Sequence, residues 1–370
     1  MLLTGFEATR PRYELSQARS LEWLAAVHTE AEATRASLGS DDKAVFATRM
    51  ARMIGRCACA PDKIARRGHS VRDVEIAPPR WDGNEIYDVR RDPHGAGTAA
   101  RSRLFGEIVD AYFDETYRAA NAPDDLVHVT CTGYAAPSGA QQLVARRGWP
   151  TRVTHAYHMG CYAAVPAVRL AAGMSSLGSR RVDIVHTELC SLHLDPADHR
   201  IEQLVVQSLF GDGLIRYSLV PNAPHGLSLL ALHEQLVPDT AGAMRWIAGD
   251  HGMQMTLARD VPEQIGAVLR TFVIELYRRA GVELGHMRDS VFAVHPGGPR
   301  IIDGVQQTLE LSDGQVAASR AVLHDHGNMS SATLPHVWMV LDQTLAPGTL
   351  IASLAFGPGL TVCGALFEKR

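Results

Sequence analysis

Short apolar runs rich in β-branched residues alternate with amphipathic segments along the whole chain of 370 residues. This alternation indicates an α/β protein whose strands are buried on both faces, because helices cover both sides of such a sheet. Apolar runs of about four to eight residues bounded by turn residues are typical of buried strands. The strands predicted in this way are DLVHVTCTGY, RVDIVHTEL, LIRYSLV, SVFAVHP, TLIASLAFG and LTVCGALFEK.

Apolar residues at three- and four-residue spacing predict the helices that lie between these strands. The predicted helices cover 15–35, 43–56, 98–120, 138–147, 161–173, 262–281, 299–311 and 329–342. Residues 68–95 lack any period and are predicted to form a loop. Because the layout repeats on either side of the Pro/Gly stretch VPNAPHG, we predict two related halves, 1–225 and 226–370.

Composition excludes several classes of function. A formal net charge of −4 provides no basic field, which argues against a nucleic-acid partner. No apolar stretch reaches the roughly 18 residues that span a membrane, and the early Glu7 argues against a signal peptide. The six cysteines are scattered, and Cys57 and Cys59 lack a second pair, so we expect reduced thiols in a cytoplasmic protein and no metal site.

Cys161 stands in HMGCYAAVPAVRLA, where a glycine precedes the cysteine and a helical pattern begins at it. A thiol at a helix N-terminus is biased toward the thiolate by free N–H groups and the helix dipole. The backbone N–H of Cys161 would also donate to the oxyanion of a thioester. The alternative is a buried structural cysteine, which is the usual role of a free thiol.

Two further segments place polar side chains next to glycines. His295 ends the strand in VFAVHPGGPRIIDG, directly before glycines that allow a ligand to approach closely. Asn328 lies between a glycine and a predicted helix in HDHGNMSSATLPH. A histidine that caps a turn and an asparagine that caps a helix are the alternatives.

Taken together, these three residues suit decarboxylative condensation. A thiolate accepts an acyl group from a thioester. Two neutral hydrogen-bond donors then hold the carbonyl of a malonyl thioester, so that loss of carbon dioxide leaves a stabilised enolate. This chemistry needs no metal and no separate cofactor.

Five motifs resemble the chalcone-synthase-like type III polyketide synthases and occur in that family's order. They are GCYA around Cys161, LFGDG at 209–213, HPGGPRIID at 295–303, GNMSSAT at 327–333 and FGPGLTV at 356–362. The resemblance covers the chain nearly from end to end. It implies a five-layered αβαβα thiolase fold, a homodimer, and an acyltransferase in which Cys161, His295 and Asn328 are catalytic and malonyl-CoA is the extender.

The same resemblance assigns a substrate cavity. It implies that Phe210 gates the cleft. It also implies that Met255 stands where plant members have a second, aromatic gate, and the soft thioether of Met255 favours an aliphatic starter. It places Ala136 where plant members carry a methionine that reaches into the neighbouring subunit, before an expected cis proline. The remaining cavity positions that it implies are Cys190, His193, Leu194 and Ser330. For His193, a hydrogen-bonded place in the core is the alternative, and for Phe210 a core aromatic.

Arg49, Arg52 and Arg56 lie on one face of a predicted helix. The resemblance matches them to the basic row that binds the phosphates of coenzyme A, a task that suits guanidinium groups. A solvated face is the alternative, and an acidic acyl carrier protein could also dock there. The starter would thus arrive as an acyl-CoA or on a carrier protein.

The reaction expected from these features is extension of an acyl thioester by malonyl-CoA, followed by release of a resorcinol, phloroglucinol or pyrone. A single-step condensing enzyme of the ketoacyl synthase III type is one rival. A non-catalytic relative that binds a carrier protein is the other.

Overall fold

The computed structural model describes residues 1–75 and 80–370. Residues 76–79, which belong to the predicted loop 68–95, lie outside the described residues. The strands are β1 (Leu2–Thr9), β2 (Tyr13–Ser16), β3 (Arg66–His69), β4 (Asp125–Thr130), β5 (Arg152–Tyr157), β6 (Val182–Glu188), β7 (Gly213–Val220), β8 (Leu227–Leu236), β9 (Met244–Gly249), β10 (Gly252–Leu257), β11 (Val291–Val294), β12 (Leu350–Gly357) and β13 (Thr361–Lys369).

Ten α-helices occupy the described residues. They are α1 (Gln17–Ala36), α2 (Ser40–Cys57), α3 (Thr98–Thr116), α4 (Gly139–Arg147), α5 (Ala164–Ser176), α6 (Ile201–Leu209), α7 (Val261–Ala280), α8 (Pro299–Leu309), α9 (Ala317–His326) and α10 (Thr333–Thr344). Within residues 1–75 and 80–370, none of them combines the length and the apolar character that crossing a membrane requires.

Nine strands form one mixed sheet in the order β11-β12-β13-β8-β1-β7-β6-β4-β5. Strands β5, β4 and β6 pair in parallel, and β11 pairs with β12 in parallel, whereas the other pairs are antiparallel. Strand β1 joins the two predicted halves, because it pairs with β7 on one side and with β8 on the other. The α/β prediction is confirmed, while the boundary at residue 225 stays a prediction.

Helices cover both faces of the central strands, as the continuous apolar runs predict. Every residue of β4 and β6 is buried. Helix α5 contacts β4, β6 and β7 from the first half and β13 from the second, so it lies where the two halves meet. The segment that precedes α5 is therefore placed at the junction between the halves.

Several elements were not predicted. The prediction missed β1, β5, β8, α6 and α9, together with the two small sheets β2–β3 and β9–β10. The predicted helix 329–342 is a 3-10 turn, Ser330–Ala332, followed by α10. Strand β8 is only partly buried along most of its length, so its sequence lacks the continuous apolar run that marks β4 and β6.

Candidate active site

A cavity of about 350 Å³, counted with the part that is open to solvent, lies at this junction. Its lining is Cys131, Thr132, Gly160, Cys161, Cys190, Phe210, Met244, Trp246, Met255, Ser330 and Pro358. Five residues predicted from the sequence are among them: Cys161, Cys190, Phe210, Met255 and Ser330. Thioether, thiol and aromatic groups dominate the wall, so the cavity is suited to an apolar ligand with few fixed polar contacts.

Cys161 lies in a turn between β5 and α5. The helix begins at Ala164, so the prediction that it starts at the cysteine is wrong by three residues. Gly160 permits this turn, because its φ is +89° and a Cβ there would lie 2.8 Å from Pro358 Cδ. The glycine thus lets the turn that carries Cys161 pack closely against the FGPG segment of the other half.

Cys161 is half-buried. Its sulfur lies 3.8 Å from the Ser330 hydroxyl. Burial raises the pKa of Cys161 to about 12, although hydrogen bonding from Ser330 and Asn328 acts in the opposite direction. The resting group is therefore a thiol, and a base would have to take its proton if the sulfur is to act as the predicted nucleophile. This differs from the thiolate expected from a helix N-terminus.

His295 follows β11 and is 2% exposed. Its backbone N–H donates to the Leu354 carbonyl on β12 at 2.7 Å, which fixes the residue to the sheet. Among the residues that the structure describes, neither ring nitrogen has a hydrogen-bond partner. Burial lowers the pKa of His295 to about 3, so the imidazole is neutral and can either accept or donate a proton.

Asn328 is fixed by hydrogen bonds of both its side chain and its backbone. Its carboxamide oxygen accepts from the Ser330 N–H at 2.9 Å and so caps the 3-10 turn, while Nδ2 donates to the Gly297 carbonyl at 3.2 Å. Its backbone carbonyl accepts from the Gly211 N–H at 2.9 Å, beside Phe210. The carboxamide therefore serves as a cap and still keeps an N–H for a ligand.

The structure brings Cys161, His295 and Asn328 into one neighbourhood. Asn328 is close enough to Cys161 to influence its pKa. It also bonds to Gly297, where a Cβ would lie 3.8 Å from His295 Nε2. Asn328 thus lies beside Cys161 and is bonded to the loop that follows His295, although of these three residues Cys161 alone lines the cavity, and their catalytic roles remain predictions.

A buried polar network behind Cys161 was missed. Cys131 Sγ lies 2.9 Å from Ser330 Oγ and 3.1 Å from Glu188 Oε1, and the Thr132 hydroxyl donates to Glu188 at 2.8 Å. Ser331 also donates to Glu188, and burial raises the pKa of this carboxyl. The available signal was a carboxyl at the end of a strand predicted to be buried, in VDIVHTE.

Three predicted cavity residues lie elsewhere. Ala136 is exposed and precedes a cis peptide bond to Pro137, as the resemblance implied. Leu194 does not line this cavity, and its N–H donates to the Tyr87 hydroxyl at 3.3 Å. His193 does not line it either. Both of its ring nitrogens bond to backbone groups, the carbonyl of Thr132 and the N–H of Met253.

Phe210 is positioned by a buried arginine that was not predicted. Arg67 Nη1 donates to the carbonyls of Gln207 at 2.9 Å and Phe210 at 2.6 Å, and its Nε donates to Gln17 at 2.8 Å. Burial lowers the pKa of Arg67 to about 10. Arg67 thereby holds the segment that carries the predicted gate.

Helix α2 carries Arg49, Arg52 and Arg56, all of them exposed. The chain after α2 is tied to the end of α6, because the Cys59 N–H donates to the Ser208 hydroxyl at 3.1 Å. Cys59 and Ser208 thus join the chain that follows the arginine row to the segment that leads to Phe210. The three arginines do not line the cavity. Within residues 1–75 and 80–370, no three His, Cys, Asp or Glu side chains group as metal ligands.

Family models of chalcone and stilbene synthases match two stretches of the chain. The N-terminal domain model matches residues 99–218, and the C-terminal domain model matches residues 228–369.

Among relatives, type III polyketide synthase C of Arabidopsis thaliana is 31% identical over 265 residues, which cover 68% of this chain and 69% of that protein. Type III polyketide synthase A of the same plant is 30% identical over 258 residues, covering 66% of this chain and 65% of that protein. Probable polyketide synthase 1 of Dictyostelium discoideum is 30% identical over 255 residues, which are 66% of this chain but 8% of that protein.

Solved structures share the fold along the whole chain. PKS-I from the brown alga Ectocarpus siliculosus has a TM-score of 0.83 at 23% identity, with coverage of 100% of this chain and 98% of that one. Tetrahydroxynaphthalene synthase from Streptomyces coelicolor has a TM-score of 0.78 at 22% identity, with coverage of 100% and 99%. These likenesses confirm the predicted thiolase fold. Because both halves match the family models and a relative is 31% identical over two thirds of its length, the chain belongs to the type III polyketide synthase family.

Proposed function

We propose that this polyketide synthase extends an acyl thioester starter with malonyl-CoA by decarboxylative condensation. It then cyclises the product to a resorcinol, phloroglucinol or pyrone. The observation that carries the proposal is the placement of Asn328, which lies beside Cys161 on the wall of an apolar cavity and bonds to the loop that follows His295.

The starter is loaded onto Cys161. The sulfur attacks the thioester carbonyl, and the thiol proton passes to the neutral imidazole of His295, whose ring nitrogens are not engaged by other described residues. The bond between the carbonyl carbon and the coenzyme A sulfur breaks, and the departing thiolate recovers the proton. The products are an acyl-enzyme and free coenzyme A.

Extension uses the same end of the cavity. Malonyl-CoA loses its carboxylate as carbon dioxide, and the electron pair of the broken bond moves onto the thioester oxygen as an enolate. His295 and the Nδ2 group of Asn328 donate hydrogen bonds to this oxygen, which stabilises the developing charge. The enolate carbon attacks the acyl-enzyme carbonyl and releases Cys161, leaving a chain that is longer by two carbons on coenzyme A.

The cavity wall supports an aliphatic starter. Met244, Met255 and Trp246 line one side, and Phe210 and the thiol of Cys190 complete the apolar surface. Flexible thioethers adapt to chains of different length better than rings do.

Delivery of the starter involves the exposed row on α2. Arg49, Arg52 and Arg56 bind the phosphates of coenzyme A, or an acidic carrier protein that presents the starter. The working form is a homodimer in the cytoplasm, with the exposed Ala136 directed toward the partner copy. No metal ion or separate cofactor takes part.

Mass spectrometry of the products tests this proposal. Purified protein is incubated with malonyl-CoA and a panel of aliphatic and aromatic acyl-CoA starters. We expect several extensions and a cyclised product from at least one aliphatic starter. A single extension from every starter would instead identify a one-step condensing enzyme of the ketoacyl synthase III type.

Cys161→Ala is the decisive variant, and it should abolish both acyl-enzyme formation and product. Cys363→Ala is a matched control, because this buried thiol lies on β13 outside the cavity. A wild-type protein that neither becomes acylated nor decarboxylates malonyl-CoA would contradict the proposal. It would favour a non-catalytic relative that binds a carrier protein.

A further inference from the structure

The β9–β10 hairpin pairs with no strand of the nine-stranded sheet. Its two strands form their own sheet, whereas the strands next to the catalytic residues belong to the nine-stranded sheet. It nevertheless supplies one wall of the cavity, through Met244, Trp246 and Met255. A two-stranded hairpin is at best marginally stable alone, so contacts with other segments determine where this wall stands.

At its tip, the hairpin is fastened to the start of α3. The Thr98 N–H donates to the Asp250 carbonyl at 2.7 Å, and the Gly252 N–H donates to the Thr98 hydroxyl at 2.9 Å. His251 Nε2 lies 3.4 Å from an Asp92 carboxylate oxygen at the protein surface. These contacts hold the outer end of the hairpin, away from the reacting groups.

Over the cavity, two side chains link the hairpin to the opposite wall at Cys131 and Thr132. The Trp246 indole N–H donates to the Cys131 carbonyl at 2.6 Å. His193 lies 2.7 Å from the Thr132 carbonyl through Nε2 and 3.0 Å from the Met253 N–H through Nδ1. Since Cys131, Thr132 and Trp246 line the cavity, these bonds control the separation of its two walls.

The partners of His193 fix its chemical form. A backbone N–H can only donate, so Nδ1 accepts from Met253, and Nε2 carries the proton that it donates to Thr132. Only a neutral imidazole can make both bonds. Burial lowers the pKa of His193 to about 3, in agreement with this form. The hairpin also has to approach closely, since a Cβ on Gly252, whose φ is +108°, would lie 2.8 Å from Nδ1.

The cavity that results is small for a polyketide. The part of it that a water-sized molecule can occupy is about 20 Å³, far below the roughly 300–1,000 Å³ typical of ligand pockets. A long acyl chain or several extensions therefore require the movable wall to retreat. The nine-stranded sheet cannot yield without breaking its strand pairing. The hairpin can shift about its tip if the cross-links of His193 and Trp246 open together with the bond that Gln203 Nε2 donates to the Met255 carbonyl at 2.5 Å.

We propose that His193 is a specificity-determining positioning residue that holds the β9–β10 hairpin against the Cys131–Thr132 wall and so limits the length of the acyl chain. The limit on chain length rests on the proposed condensing function. The bracing of the hairpin does not, because it follows from the two backbone bonds of the imidazole. Breaking the brace should widen the cavity without touching Cys161, His295 or Asn328.

The test combines hydrogen exchange with product analysis in the full-length protein. In His193→Phe, a ring remains but both backbone bonds are lost. We expect amide exchange within 244–257 to accelerate about tenfold or more, since one lost hydrogen bond changes a local opening equilibrium by about that factor. The preference in kcat/KM for lauroyl-CoA over butyryl-CoA should rise about tenfold, the lower end of the discrimination that one methylene provides in an apolar pocket.

Two further variants make the result specific. His233→Phe is the matched control, because His233 is half-buried on β8 and stacks on Phe272 at 4.5 Å, far from the hairpin cross-links. It should alter neither measurement. Trp246→Phe removes the second cross-link, and it should accelerate exchange in the same segment if His193→Phe proves too unstable to study.

The outcomes separate the two proposals. Unchanged exchange in both His193→Phe and Trp246→Phe would overturn the brace. Faster exchange with an unaltered preference for chain length would overturn the role in specificity. Failure of the wild-type protein to condense any thioester would overturn the proposed function and the limit on chain length with it, while the exchange data would still decide the brace.

Discussion

The two sides of the cavity are built on different principles. The side that carries Cys161 rests on strands of the nine-stranded sheet and, through Ser330 and Asn328, on buried hydrogen bonds between segments far apart in the sequence. The other side is a two-stranded hairpin with thioether and indole side chains. Reacting groups must be placed accurately, whereas a wall that accommodates chains of different shape must yield. In this protein, the two requirements are met by different sides of the cavity.

Removing the carboxamide of Asn328 should break the catalytic side most strongly. We expect Asn328→Ala to lower malonyl-CoA decarboxylation by about 10²–10³-fold, because one donor to the enolate oxygen is lost. The release of carbon dioxide from labelled malonyl-CoA measures this step directly. Asn222→Ala, in the exposed turn between β7 and β8, is the control. An equal loss in both variants would mean that the effect is not specific to the site.

Acid should lower the free energy of unfolding through two buried histidines on the catalytic side. His128 on β4 and His186 on β6 bond to neighbouring hydroxyl groups, and burial lowers the pKa of each to about 3 from 6.5. The unfolded chain therefore binds more protons than the folded protein below pH 6.5. Stability is complete above this pH and falls as the pH drops toward 3, by about 1.4 kcal/mol per pH unit for each histidine.

Urea unfolding at about pH 7 and about pH 5.5 measures this loss. In His128→Gln, one titrating group is absent, so the difference in unfolding free energy between the two pH values should shrink by up to ~1.4 kcal/mol. An identical difference in wild type and variant would show that His128 does not carry the effect.

On the hairpin side, Met255→Ala should change selectivity more than chemistry. Loss of a side chain that is 9% exposed and faces the cavity enlarges the space for the starter. We expect kcat/KM for long aliphatic starters to rise by up to about tenfold relative to short ones, while decarboxylation changes much less. Met287→Ala is the control, because Met287 is partly buried against the hydrophobic core around α7 and α8 and does not line the cavity. A loss of decarboxylation as large as that in Asn328→Ala would erase the contrast between the two sides.

The smallest effect is expected outside the cavity. Arg52→Glu reverses one charge in the exposed row on α2. It should raise the KM for coenzyme A thioesters a few-fold, since an exposed charge contact contributes roughly 0.2–1 kcal/mol, and it should change kcat less. Arg103→Glu, an equal change of charge on exposed α3, is the control. An unchanged KM would remove the coenzyme A role of this row.

The sequence predicts the catalytic side far better than the hairpin side. The strands that lead to His295 and Phe356 are continuous apolar runs, and the glycines beside Cys161, His295 and Asn328 mark the turns. Both signals are local and can be recognised in a single segment. This is why the segments of Cys161, His295 and Asn328 could be identified before the fold was known, although the helix start was placed three residues too early.

The remainder depends on contacts between distant segments. Cys131 and Ser330 are 199 residues apart, and His193 meets Met253 across 60 residues. No pattern within one segment tells whether a half-buried histidine faces a ligand or bonds to backbone, because that depends on which strand lies opposite. The hairpin has neither a long apolar run nor an Asn-Gly turn, so its existence could not be recognised locally.

The position of strand β1 constrains the order in which this protein can fold during its synthesis. Its Leu2 pairs with Val220 on one side and with Ser228 on the other, in the middle of the sheet. During translation, this apolar segment leaves the ribosome before either neighbour has been synthesised, and it has to wait for more than two hundred residues before it can pair. We therefore expect the nascent chain to recruit chaperones at its first strand, and folding to be completed only after β8 has emerged.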